Sequence, residues 1–211
     1  MGTIKQGILG GFNGKVGTVV GSSWKGEAYM RGLAQHVKNP KSEKQLEQRH
    51  KMDIAQKFMK QALQFINLGL KDVAKKQSPF NYAVRQMVNK AIGDAPDYEI
   101  DYSKIILSHG ILTPPSVQIM YVNETDLDIL WGDQNGHGNA KDDDVSITLF
   151  YNVEKQEVFF DLNGFIRSVG TSHVRLPDDW VGDHIHAWFA MCSADNKLIT
   201  NSEYLGYYRL E

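Results

Sequence analysis

The chain has 211 residues, 42% of them apolar and 23% charged, which excludes a mostly disordered chain and fits one large domain or two small ones. No run approaches the roughly 18 apolar residues of a membrane helix, and the opening Met1 to Gln6 lacks the apolar stretch of a secretory signal. The single cysteine, Cys192, excludes an intrachain disulfide framework and a multi-cysteine zinc site.

The net charge of −2 hides a split. Residues 1–94 hold 16 Lys and Arg against 6 Asp and Glu, whereas residues 95–211 hold 7 against 19. Three readings follow. The halves attract each other within one chain, or the basic half of one copy meets the acidic half of the next. In the third, the basic half contacts nucleic acid.

Residues 1–40 form a glycine-rich segment, with nine of the 19 glycines in the first 32 positions. Asn13-Gly14 is a hairpin signal. Lys15–Val20 and Ser23–Arg31 read as strands, each interrupted by glycine. The segment has too few apolar side chains for its own core, and a two-stranded hairpin is marginal in water. It is therefore expected to pack on the rest of the chain or on a neighbouring subunit. Trp24, Tyr29 and Arg31, with Lys15 and Lys25, mix aromatic and basic groups, a composition that suits a subunit interface. The same composition suits stacking on single-stranded nucleic acid. A third possibility is that Trp24 and Tyr29 fill a core over the helix that follows.

Residues 41–96 read as helical. Pro40 precedes the start, and Ser42 with Gln45 fits a capping box. Ala55, Phe58, Met59, Ala62, Ile66, Leu70 and Val73 recur at three- and four-residue steps, with Phe65 and Leu68 widening that face. A continuous helix over 43–75 would span about 50 Å, with Gly69 as a bend. Lys44, Lys51, Lys57, Lys60, Lys71, Lys75 and Lys76 decorate it as a solvated face. Ser78-Pro79 interrupts the chain, and Pro79–Ala91 forms a second helix with Tyr82, Val84, Met87, Val88 and Ala91 as its apolar set. Gly93 and Pro96 end it.

Residues 97–211 read as β-rich. The expected strands are Tyr102–Ser108, Val117–Val122, Leu127–Trp131, Val145–Tyr151, Glu157–Asp161, Ser172–Leu176, His184–Cys192 and Glu203–Arg209. Their number and spacing predict an immunoglobulin-like or fibronectin-like sandwich, with Trp131 as its buried aromatic. The near-continuous apolar run at 145–151 reads as a central strand. His184, His186 and Trp188 share one strand face, and Ile185, Ala187 and Phe189 the other. The fold class is thus α+β: an N-terminal β-arm, a two-helix middle and a C-terminal sandwich.

Chemistry motifs are thin. A phosphate loop fails because Leu9 and Val16 stand where glycine and Ser or Thr are needed. His184 and His186 could reach one metal, with Asp183 or His173 as a third ligand. Asp142-Asp143-Asp144 has oxygens for calcium, without the spacing of an EF-hand loop. Cys192 ends an apolar strand and reads as a buried residue more than a nucleophile. No G-x-S-x-G is present. The expectation is a protein that is not an enzyme, with no catalytic, cofactor or metal residues.

The opening Met1-Gly2-Thr3-Ile4-Lys5-Gln6-Gly7-Ile8-Leu9-Gly10-Gly11-Phe12-Asn13-Gly14-Lys15-Val16-Gly17-Thr18-Val19-Val20-Gly21-Ser22-Ser23-Trp24-Lys25-Gly26 resembles a family of uncharacterised proteins from Bacteroidota and their gut phages. The resemblance continues through Tyr29-Met30-Arg31, Lys38-Asn39-Pro40, Gln45-Leu46, Gln48-Arg49, Pro96–Tyr102, Asn201-Ser202 and Tyr204-Leu205-Gly206. Members occur in phage and prophage settings, including relatives of the crAss-like phages. The resemblance implies a virion part such as a neck, tail or ring protein, made in the host cytoplasm. A bacterial cytoplasmic protein is the alternative. The implied partners are proteins, either copies of the chain or other virion components, with nucleic acid a lesser alternative and no membrane. The chain would then be a structural homo-oligomer. In that assembly, Lys and Arg of the long helix would face acidic loops at Asp142–Asp144 or Asp178-Asp179 of a neighbour. A protein- or carbohydrate-binding module using Trp180 and Tyr207 is the second reading. A metal enzyme at His184 and His186 is the third.

Overall fold

The computed structural model describes residues 2–4, 7, 10–35, 41–74, 77–132 and 138–211, with backbone alone over 118–122. Pro40, Lys75 and Lys76 therefore lie outside the described residues. The protein is mixed α+β, with three α-helices and several antiparallel sheets among the described residues. It divides into two compact units, Met1–Ser42 and Glu43–Glu211.

The smaller unit is an antiparallel sheet of β1 (Thr3–Ile4), β2 (Phe12–Val16), β3 (Val19–Trp24) and β4 (Glu27–Gly32), ordered as in the sequence. The expected turn at Asn13-Gly14 falls instead within β2. The chain reverses at Gly17-Thr18 and again at Lys25-Gly26, so each of the two expected strands is split between neighbours. Lys25 and Gly26 both have positive φ, 50° and 89°. Such turns match the twist of the flanking strands.

The larger unit begins with α1 (Glu43–Gln61), α2 (Leu63–Gly69) and α3 (Pro79–Lys90). The expected single helix to residue 75 is interrupted at Ala62, with φ −83° and ψ 13°. Hydrogen bonding resumes at once, with Ile66 N–H donating to the Ala62 carbonyl at 3.0 Å. Both sides of the break therefore keep the same apolar face. Gly69 closes α2 rather than bending a helix. A Cβ there would fall 2.4 Å from the Leu107 carbonyl oxygen, so glycine allows the 107–109 backbone to approach. Ser78 caps α3 by accepting from the Asn81 N–H at 3.1 Å, with Pro79 in the first turn.

Seven strands follow: β5 (Val117–Asn123), β6 (Asp126–Trp131), β7 (Val145–Asn152), β8 (Glu157–Asp161), β9 (Thr171–Arg175), β10 (His184–Cys192) and β11 (Glu203–Arg209). They form a sheet ordered β5-β6-β9 and another ordered β11-β10-β7-β8. The expected strand at Tyr102–Ser108 does not form. Asp101 accepts from the Ser103 N–H and starts a short helical turn over Tyr102–Lys104. The chain then runs extended but bonds to loops: Leu107 N–H donates to Ser202 Oγ at 3.1 Å and Leu112 N–H to the Ile199 carbonyl at 3.0 Å. Its alternation reflects Ile105 and Leu107 anchoring in the core.

Two hydrophobic cores flank the four-stranded sheet. One joins Phe58, Met59, Phe65 and Met87 of the helices to Ile147, Leu149, Trp188 and Ala190. The other joins Ile129, Trp131 and Val174 of the three-stranded sheet to Phe150, Ile185 and Phe189. The expected division of β10 into two faces is therefore observed, and so is the central position of β7. Residues 43–96 and 97–211 share a core and form one compact unit.

A buried ion pair ties the 141–144 turn to the short turn at Arg167–Val169. Both side chains are fully buried, with Arg167 Nε 3.0 Å from Asp144 Oδ2. Arg167 Nη2 donates to the Thr113 carbonyl at 2.8 Å, and Trp131 Nε1 donates to the Arg167 carbonyl at 2.9 Å. Removing one member of such a pair leaves an uncompensated buried charge. Asp144→Ala should therefore lower unfolding free energy by about 3–5 kcal/mol in urea titrations. A loss below about 1 kcal/mol would show that the pair is not a structural tie.

Candidate functional site

Strand register places the residues of the arm. Val20 of β3 is opposite Lys15 on one side and Arg31 on the other. Ser22 is opposite Tyr29, and Trp24 opposite Glu27. Facing residues share a sheet face, and alternate residues along a strand share it too. Lys15, Trp24, Tyr29 and Arg31 therefore lie on one face, together with Glu27. Lys25 lies at the turn beyond Trp24. Trp24 is 54% exposed and Tyr29 48%, so neither is enclosed by the arm's own strands.

The opposite face was not foreseen. Ile4, Phe12, Val16, Val19, Ala28 and Met30 fall on it by the same register. Met30 is 70% exposed. The Phe12 ring lies over Gly21, where a Cβ would come within 2.6 Å of it. Gly21 is the only buried position among the described residues of this unit. The arm thus presents an aromatic and basic face, an apolar face, and almost no interior. The apolar residues are spread over four short strands between glycines, so no local run displays them.

The other sequence candidates resolve differently. His184 and His186 share a strand face but are held by different partners. Glu154 takes the His184 ring at 2.7 Å and its backbone N–H at 2.8 Å, which lowers the Glu154 pKa. His186 stacks on Tyr102 with ring centres 3.7 Å apart, and its Nδ1 pairs with the Tyr204 hydroxyl at 2.7 Å. Among the described residues, no three His, Cys, Asp or Glu are placed to hold a metal ion. Cys192 is buried, and burial pushes its thiol pKa up, away from nucleophile behaviour.

Asp144 cannot be part of an exposed calcium or docking loop, because Arg167 holds it inside the protein. Asp178 pairs with Arg175 at 2.9 Å and Asp179 with Lys155 at 2.7 Å, so both acids already have partners in the chain. On α1, Lys51 pairs with Glu47 and Asp94, and Lys57 with Asp53. Lys51 is buried rather than part of a solvated face. Trp180, expected on a ligand surface, is buried. Tyr207 is exposed, with its ring stacked on His184.

A pocket of about 370 Å³ opens beside this aromatic group, with Phe58, Tyr102, Tyr151, Lys57, Gln61 and Gln156 among its lining. Among the described residues, no helix is long and apolar enough to cross a membrane.

Fold and surface define a mixed α+β protein with a separate glycine-rich β-arm, a buried cysteine and, among the described residues, no group of three side chains placed to hold a metal. The chain belongs to a family of unknown function, DUF6266, whose model matches residues 11–206. That match takes in β2 to β4 of the arm as well as nearly all of the larger unit. No curated protein and no solved structure matches the chain.

Burial lowers the His186 pKa to about 4. An unfolded histidine titrates near 6.5. Between these values the unfolded chain binds a proton that the folded chain refuses. The stability contribution is full above pH 6.5 and is lost as pH falls towards 4. The loss attributable to His186 should reach about 2.5 kcal/mol by pH 4.5. It appears as the difference between wild type and His186→Gln in urea titrations at pH 7 and pH 4.5. Equal pH dependence in the two proteins would remove His186 as the cause.

Proposed function

We propose that this chain is a non-enzymatic assembly protein whose arm docks on another protein, either a second copy of the chain or another structural component. The observation that carries this reading is the arm itself. Its four strands bury only Gly21 among the described residues, and expose Met30 on one face and Trp24 and Tyr29 on the other. A small sheet without a core is marginal in water, and cover from a partner would stabilise it. Aromatic side chains beside arginine suit a protein interface. The similarity of residues 1–26 to gut-phage proteins favours a virion neck, ring or tail as the setting.

In the same reading, β5–β11 form a β-sandwich of the immunoglobulin or fibronectin kind. Its support is the strand order. A three-stranded sheet of β5, β6 and β9 shares a core with β11-β10-β7-β8. Placing β8 beside β7 matches the extra strand that some such sandwiches add to this sheet. Trp131 would be its inter-sheet aromatic, with Phe189 5.4 Å away.

The second reading is a small-ligand or carbohydrate module, favoured by the aromatic pocket at Tyr102 and Tyr151. A glycan array with no signal, beside a clean oligomer, counts against it.

Light scattering across a concentration and salt series tests the first reading. The full chain should form a discrete oligomer, and a chain lacking residues 1–35 should be a monomer with an intact, cooperatively melting larger unit. A truncated chain that still assembles would remove the arm from assembly. A full chain that stays at 23.8 kDa at every concentration would reject self-assembly.

A further inference from the structure

β4 is an open edge. Among the described residues it pairs with β3 alone. Leu33 N–H donates to the Thr18 carbonyl at 2.7 Å, which marks 33 opposite 18 as a hydrogen-bonded pair. Hydrogen-bonded and non-hydrogen-bonded pairs alternate along an antiparallel ladder. Glu27, Tyr29 and Arg31 therefore turn their backbone groups towards β3. Ala28, Met30 and Gly32 turn theirs outward. Any strand added here must pair through those three residues.

We infer that the arm pairs with a second copy of itself, β4 against β4, antiparallel about a twofold axis at Tyr29. This rests on the assembly reading above and names its partner and register. Three features of β4 support it. First, a twofold pairing centred between two residues would set an outward-turned residue against an inward-turned one, so the axis must pass through a residue. Second, centring on Tyr29 sets Ala28 against the partner's Met30 as a hydrogen-bonded pair. It also sets Glu27 against the partner's Arg31, twice over. Centring on Ala28 or Met30 brings no Glu27 to an Arg31. Third, Glu27, Tyr29 and Arg31 share one sheet face. In this register they occupy the non-hydrogen-bonded pairs, where side chains stand closest. Opposite charges directly across a ladder stabilise it, and like charges oppose it.

The pairing is isologous, so each contact occurs twice. It joins two four-stranded sheets into one of eight strands. The axis is perpendicular to the sheet, so both copies keep the same face up. The apolar residues Phe12, Val16 and Met30 of the two arms then line one continuous surface.

Charge inversion in the full chain tests the register. Glu27→Arg and Arg31→Glu should each weaken self-association by about tenfold or more, because two favourable pairs become two repulsive ones. Mixing these two variants should restore association as a heterodimer, and the double variant should restore it alone. Failure of mixing to rescue would overturn the register. Single variants that associate like wild type would overturn β4 pairing. The arm reading would still stand if loss of residues 1–35 abolished assembly.

Cysteine cross-linking gives an independent check, since the native Cys192 is buried. Tyr29→Cys should form a covalent dimer under mild oxidation, because the facing Cα atoms would be about 4.5 Å apart. Met30→Cys should not. Cross-linking at position 30 but not at 29 would overturn the proposal.

Discussion

The antiparallel pairing of β7 with β10 holds the larger unit together. It runs in unbroken register from Ile185 opposite Asn152 to Cys192 opposite Val145. β8 flanks one side and β11 the other, so these backbones find partners on both sides. Side chains leave the pair in both directions, towards the helices on one face and towards β6 and β9 on the other. Neither core could form without it. The arrangement carries a penalty at Trp188, whose buried Nε1 has no hydrogen-bond partner among the described residues.

That central pair explains why the helices belong to the same unit as the strands. A sheet with one wet face would alternate apolar and polar residues. β7 and β10 instead read as near-continuous apolar runs because helices cover the second face. The Arg167–Asp144 pair acts at the margin of this assembly. It draws charge inward at a site where Thr113, Trp131 and the 144 backbone also meet, joining three loops that the ladder itself does not reach. The acidic character of residues 95–211 is therefore partly balanced within the chain. Asp144, Asp178 and Asp179 are engaged by Arg167, Arg175 and Lys155 of the same chain.

Long periodic elements were legible in the sequence. The helical apolar set from Ala55 to Leu70 is buried as its spacing implies, and β8, β10 and β11 have the expected ends. Failures came where local and tertiary signals compete. Asn13-Gly14 resembles a turn, but the pairing of Gly14 with Gly21 places it inside a strand. Residues 102–108 alternate like a strand because two of them are core anchors. Trp180 follows Asp178 and Asp179 in the sequence, yet its ring enters the core. In the arm, residue types pointed to Lys15, Trp24, Tyr29 and Arg31, but their common face depended on knowing the true turns. A register error of one residue would have put them on the wrong side.

The two edges of the arm sheet are unequal. Among the described residues, β1 pairs with β2 over Thr3 and Ile4 alone, while β4 offers six residues. A sheet with two long free edges can recruit strands without limit and grow into a fibre. Among the described residues, β4 is the longer template. Joining it to its own copy consumes both templates at once and leaves a stub at each end. In the β4 pairing inferred above, growth through this edge stops at two copies.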